Sequence, residues 1–295
     1  MSFRLLRSLL FVPGNRADRI DKAVGLGADA VIIDLEDAVP LKEKDSARAI
    51  VREKLAEYRY STLLVRTNSI ESRIIYDDLN EVVTPDLAGI MVPKVEDAEH
   101  IFEVNRLLSK IEEEAGILPG TIRVFPLIES ARGVQHIHEI VSAKTEPRRI
   151  HTVAFGAADY TLDLGIEISR EGYELNYPRA VIPIACRAAG IEPPLDTPYM
   201  INFKDKEGLI ADARRARKLG FQGKLVIHPD QIGPCNRVFS PTKDEIEFAK
   251  RVIRAFEEAE ARGDAALQVD GKFVDYAVAK KAKRILALAT AIKMV

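Results

Sequence analysis

Val31-Ile32-Ile33-Asp34-Leu35-Glu36-Asp37 is an apolar run of strand length that ends abruptly in acids. A strand with one wet face alternates apolar and polar residues, so an unbroken apolar run reads as a parallel strand covered on both faces. Gly89-Ile90-Met91-Val92 has the same character. Working outward, strand-length runs fall at residues 8–12, 30–33, 62–65, 88–92, 122–127, 152–155, 224–227 and, more weakly, 195–200. Amphipathic stretches of helical period lie between them, at residues 16–26, 43–57, 98–114, 131–142, 178–189 and 206–219. Gly27, Gly116, Gly190 and Gly220 stand where helices tend to close. Eight alternating βα units predict an α/β fold of the (β/α)8 TIM barrel type over residues 1–238. Residues 239–295 differ: a charged helix over 243–262, a Gly263-Asp264 break and a last basic helix predict a C-terminal helical extension or lid. A closed eight-stranded barrel has no place for a ninth unit, so the extension is expected to cover the barrel's end or reach a neighbouring subunit.

Composition narrows the function. The chain has 295 residues, is 47% hydrophobic and 30% charged, and carries a formal net charge of −2. This balance is that of a globular protein without a basic field for nucleic acid, and no apolar tract reaches the roughly 18 residues of a membrane span. The two cysteines, Cys186 and Cys235, form no C-x-x-C pattern, and residues 8–12 are too short for a secretory core, so a cytoplasmic location is expected.

Barrel enzymes build their sites at the C-terminal ends of the strands. Here those ends carry Pro13-Gly14-Asn15-Arg16, Asp34 to Asp37, Arg66-Thr67-Asn68, Pro93-Lys94, Glu129-Ser130, Gly156 to Asp159 and His228-Pro229. Glu129 and Asp159 end consecutive strands, and two adjacent carboxylates in a low-dielectric mouth repel unless a cation lies between them. Mg2+ suits such oxygen ligands, while the competing reading pairs one of the carboxylates with Arg66. Arg66 has the fork to hold a substrate carboxylate, and Lys94 either holds a second oxyanion or neutralises Glu36 and Asp37. Gly14 and Asn15 are expected beside the substrate. Of the histidines, His136 and His138 are two apart and diverge on a helix, and His228 reads as a capped structural residue. Motifs of zinc proteases, P-loops and serine hydrolases are absent from the sequence.

Taken together, Arg7 to Asn15, Asp34-Leu35-Glu36-Asp37-Ala38-Val39, Val65-Arg66-Thr67-Asn68, Val92-Pro93-Lys94, Ile128-Glu129-Ser130, Gly156-Ala157-Ala158-Asp159-Tyr160, Ile227-His228-Pro229-Asp230-Gln231-Ile232 and Gly271-Lys272-Phe273-Val274-Asp275 resemble the citrate lyase β-subunit-like family. The wider group holds malyl-CoA and citramalyl-CoA lyases and the more distant HpcH/HpaI aldolases. The resemblance implies Mg2+ on Glu129 and Asp159, Arg66 on the oxo-acid carboxylate, and Asp275 delivered into a neighbouring subunit's site, usually in a trimer. It departs at Ala158, where many members carry Glu, and at Tyr276-Ala277, where Pro often follows. The implied activity is reversible cleavage of a 3-hydroxyacyl thioester such as citryl-, malyl- or citramalyl-CoA, with Asp275 as general acid or base. Two alternatives are the β subunit of a citrate lyase complex, working with α and γ subunits on a citryl group borne by an acyl carrier protein, and a non-catalytic ligand-binding relic of the same fold.

Overall fold

The computed structural model describes residues 5–294. Eight parallel strands close into a barrel in sequence order: β1 (Ser8–Pro13), β2 (Ala30–Asp34), β3 (Leu63–Arg66), β4 (Gly89–Val92), β5 (Arg123–Ile128), β6 (Ala154–Phe155), β7 (Leu195–Asp196) and β8 (Gly223–Val226). The expected (β/α)8 barrel is therefore what the chain forms. Its helices are α1 (Ala17–Val24), α2 (Lys44–Glu57), α3 (Ile75–Val82), α4 (Ala98–Glu114), α5 (Ala131–Gln135), α6 (Ile137–Ser142), α7 (Ala157–Leu164), α8 (Asn176–Ala189), α9 (Lys206–Leu219) and α10 (Pro229–Phe239).

Three elements depart from the expected ranges. The helix expected over 131–142 is two short helices that meet at His136, whose Nδ1 lies 3.0 Å from the Glu96 carbonyl. The strand expected over 195–200 stops after Asp196, and beyond it Thr197, Pro198 and Met200 line the cavity. The strand expected over 152–155 is only Ala154–Phe155. As a result β6 and β7 meet through the single register pair Ala154↔Leu195, which makes this arc the thinnest part of the wall.

Side chains alternate along each strand, so one parity fills the barrel. Leu9, Ile32, Leu64, Phe125, Leu127, Ala154, Leu195 and Leu225 form that interior cluster. The opposite parity packs beneath the helices, where Lys224 of β8, Asp196 of β7, Arg179 of α8 and Asp212 of α9 form a buried ion tetrad. Both partners of the Arg179–Asp196 pair have side chains 0% exposed, so each charge depends on the others for the solvation that water no longer provides.

The chain divides into two compact units between Asn236 and Arg237. The second contains α11 (Lys243–Glu260), the antiparallel hairpin β9 (Leu267–Val269) and β10 (Lys272–Val274), and α12 (Tyr276–Ala291). Thr242 and Glu245 form a reciprocal capping box at the start of α11. The hairpin turns on Asp270-Gly271, both at positive φ, as a tight two-residue connection requires. Val252, Phe256, Val269, Val274, Ala279 and Ala282 form this unit's own core.

Candidate active site

The interior parity explains the site. Two residues above Ile32 on β2 comes Asp34, two above Leu64 comes Arg66, and two above Leu127 comes Glu129. Each continues an apolar inward column into the barrel mouth. A cavity of about 1020 Å³ opens there, lined by Phe11, Asp34, Asp37, Arg66, Glu129 and Asp159 among others.

Arg66 is held by acids that stand beside it. Its Nε and Nη2 donate to the two Asp34 oxygens at 2.7 and 2.5 Å, and its Nη1 lies 3.0 Å from Glu36 Oε2. Phe11 covers the guanidinium at 5.0 Å. Burial opposes the charge, but the Asp34 hydrogen bonds and the fields of Asp34, Glu36 and Glu129 outweigh it and raise the pKa of Arg66. Lys94 Nζ donates to Glu36 Oε1 at 2.7 Å, the neutralising role that the sequence left open. Desolvation raises the pKa of Glu36, against the pull of Arg66 and Lys94. Behind this layer, Lys44 Nζ donates to the Leu35 and Glu36 carbonyls and to Asn68 Oδ1, bracing the loop after β2.

Glu129 and Asp159 are treated differently. Lys94 adopts φ 54°, a left-handed backbone disfavoured for side chains with a Cβ, and from there its N–H donates to Glu129 Oε1 at 2.8 Å. Glu129 is 3% exposed, and its carboxyl is pushed up to about 8 by burial and by the charges of Asp159 and Glu36. Neither Glu129 nor Asp159 forms an ion pair among the described residues, and the Asp159 side chain forms no hydrogen bond there. The reading that paired one of them with Arg66 does not hold, because Asp34 and Glu36 take the guanidinium. Two carboxylates without an ion-pair partner among the described residues are the donor set a divalent oxygen-seeking ion requires. Among the described residues no three His, Cys, Asp or Glu side chains gather as a metal cage, so an ion here would complete its shell with water or substrate.

Other expected residues lie elsewhere. Gly14 is buried against β2, where a Cβ would come within 2.9 Å of the Asp34 carbonyl oxygen. Asn15 Nδ2 donates to Glu43 Oε2 at 2.7 Å, and neither Gly14 nor Asn15 lines the cavity. Asp37 does line it and stands 3.9 Å from Arg66 Nη1. His228 also lines the cavity, its ring stacked on Phe203 at 5.4 Å, a place the sequence reading as a capped structural residue did not foresee. Asp275 belongs to the C-terminal unit, where its Oδ1 accepts from the Ala277 and Val278 N–H groups and caps α12. Cys186 and Cys235 are buried, and desolvation pushes both thiols up to about 12, so neither is a ready nucleophile. No described helix is long and apolar enough to cross a membrane.

Sequence reasoning placed Asp34 and Gly156 on the strand-end rim but gave neither a role, although Asp34 shares the interior parity of Ile32 and Ala30, and it did not single out Thr197. A Cβ at Gly156 would sit 2.6 Å from Glu129 Oε2, so the glycine makes room for that carboxylate.

Residues 7–229 match the family model described as HpcH/HpaI aldolase/citrate lyase. The chain is 40% identical over 290 residues to citrate lyase subunit beta of Leuconostoc mesenteroides subsp. cremoris, covering 98% of this chain and 94% of that one. It is 35% identical to a (3S)-malyl-CoA thioesterase of Cereibacter sphaeroides, over 97% of this chain and 95% of the other. Among solved structures, protein CitE from Mycobacterium tuberculosis in complex with magnesium, acetoacetate and coenzyme A superposes with a TM-score of 0.78 at 28% identity, covering 98% of this chain and 100% of CitE.

Proposed function

The chain belongs to the HpcH/HpaI aldolase/citrate lyase family and is a carbon–carbon lyase, and from that premise we propose that it cleaves, or in reverse forms, a 3-hydroxyacyl thioester such as citryl-, malyl- or citramalyl-CoA. The observation that carries this reading is the pair of carboxylates without ion-pair partners, Glu129 and Asp159, facing the same cavity as the rigidly held Arg66. Relatives bearing these chemistries in their names, and a CitE structure holding magnesium and coenzyme A, support it.

In the cleavage direction the substrate hydroxyl loses its proton and becomes the carbonyl of an oxo acid. The carbon–carbon bond beside it breaks, and its electron pair passes to the thioester's α-carbon, which is then protonated to give acetyl-CoA. Glu129 and Asp159 are the residues that would hold Mg2+, which when bound supplies Lewis-acid polarisation of substrate oxygens. Arg66 offers a fixed cation to the oxo-acid carboxylate, and its Asp34 clamp keeps the side chain from swinging away when the product leaves. Lys94 keeps Glu36 compensated and presents the backbone N–H that orients Glu129. Asp275 is assigned the proton transfer at the hydroxyl or at the departing carbon, supplied by a neighbouring subunit in a homotrimer.

A second reading rests on the 40% identity to a citrate lyase subunit beta: the thioester would be carried by an acyl carrier protein, with α and γ subunits as partners. The test is oxo-acid release from malyl-, citramalyl- and citryl-CoA, coupled to a dehydrogenase, in Mg2+ and then in excess EDTA. Metal-dependent release from one of them establishes the CoA lyase and names its acyl group. Silence on all three from a folded, Mg2+-binding protein excludes these three CoA thioesters and points to a carrier-bound thioester, a missing partner subunit or another acyl chain.

A further inference from the structure

The helix that carries Asp159 begins without a cap of its own. The residue before α7 is Gly156, which offers no side chain to cap the helix, and no side-chain cap forms there. Helices ordinarily begin on Ser, Thr, Asp or Asn, whose oxygen accepts one of the first free N–H groups. Such a residue is barred here, since any Cβ at 156 would press on Glu129, 2.6 Å from Oε2 and 2.8 Å from its Cβ. Room for one carboxylate thus removes the cap from the helix bearing the other.

The missing cap comes from the next strand. Thr197 is 2% exposed and follows β7 on the same inward parity as Leu195, and its Oγ1 accepts the Ala157 N–H at 2.9 Å. Both Ala157 and Thr197 line the cavity with Asp159. This bond adds to a short seam, for β6 and β7 share a single register pair. Thr197 in turn cannot drift, because the preceding residue, Asp196, is held by Arg179 and Lys224 inside the buried tetrad. The chain of contacts therefore runs from the tetrad through Asp196 and Thr197 to the first turn of α7.

We propose that Thr197 is a positioning residue that seats the first turn of α7, and with it Asp159, at working distance from Glu129. The proposal rests on the reading of those two carboxylates as the Mg2+ site, and its test separates the two. Thr197→Val keeps the shape and removes the acceptor, while Thr197→Ser keeps the acceptor. In the metal-free proteins, amide hydrogen exchange should quicken at residues 157–160 in Thr197→Val alone, with the remaining strands exchanging as in the parent. By calorimetry, Mg2+ affinity should fall about tenfold or more in Thr197→Val and stay within about twofold in Thr197→Ser. Parent-like exchange across 157–160 in Thr197→Val overturns the proposal, as does parent-like Mg2+ affinity in Thr197→Val when the parent binds the ion. If the parent binds no Mg2+, it is the metal reading that fails, and the exchange arm still decides whether Thr197 seats α7.

Discussion

Arg66 shows how much of the proposed chemistry rests on a side chain being fixed before substrate arrives. One edge of its guanidinium is committed to Asp34, so a carboxylate ligand meets a cation whose rotamer entropy is already spent. Arg66→Lys keeps the charge but loses both the fork and the clamp, and KM for the thioester should rise at least about tenfold. Steady-state kinetics check this, and an unchanged KM counts against Arg66 as the carboxylate holder. Glu129 carries a pH signature whose sign follows from its raised pKa. The folded chain holds the proton more tightly than the unfolded chain does, so the contribution is fully present below the unfolded value of 4.5 and is lost as pH rises through about 8. Metal-free protein should therefore lose stability over that range, on the order of a few kcal/mol. Glu129→Gln should flatten the loss in urea titrations at successive pH values.

Among the elements, α12 carries a lesson about Asp275. Its carboxylate caps the helix, accepting from the Ala277 and Val278 N–H groups at 3.0 Å each, whatever else it does. Asp275→Ala would thus remove a cap worth about 1 kcal/mol together with any proton transfer, and a drop in activity would be ambiguous. Asp275→Asn keeps a good capping oxygen and removes the titrating group. Its thermal midpoint should match the parent's while kcat falls at least about a hundredfold. Parent-like turnover in Asp275→Asn would falsify the proton-transfer role. The hairpin before α12 was not legible as strands, because Leu267–Val269 and Lys272–Val274 are each three residues long and only Val269 and Val274 are buried. Too few positions alternate to show a period. The break at His136 was hidden for a related reason: residues on both sides keep helical spacing, and His136 itself meets a carbonyl 40 residues away, at Glu96.

For the molecule as a whole, the thin arc at β6 and β7 is offset by charge buried behind it. Lys224 has a side chain 0% exposed and bonds both Asp196 and Asp212, so Lys224→Met strands two acids that, among the described residues, Arg179 is left to meet. The cost should be about 3 kcal/mol or more, read as a lower urea midpoint at an unchanged slope. The proposed trimer is checked by light scattering during size exclusion, where a mass equal to the 32.8 kDa chain would remove the neighbouring subunit from the mechanism. The barrel was legible in the sequence because strands dry on both faces are written as apolar runs, seven of them and a weaker eighth with helical period between. The ring of polar residues was legible because such barrels place their chemistry just beyond those runs, and Arg66, Glu129 and Asp159 stand there. Which charge pairs with which was not, since Asp34, Glu36, Asp37, Glu129 and Asp159 are all within an arginine's reach in principle. Closure of the barrel decided it by setting Asp34 beside Arg66 in register and leaving Glu129 next to Asp159. The roles of Thr197 and Gly156 were equally invisible, for one acts by an oxygen delivered across 40 residues of chain and the other by the absence of an atom. Sequence periodicity reports what each strand buries, whereas the match of one strand's top residue to the next exists only once the strands are side by side.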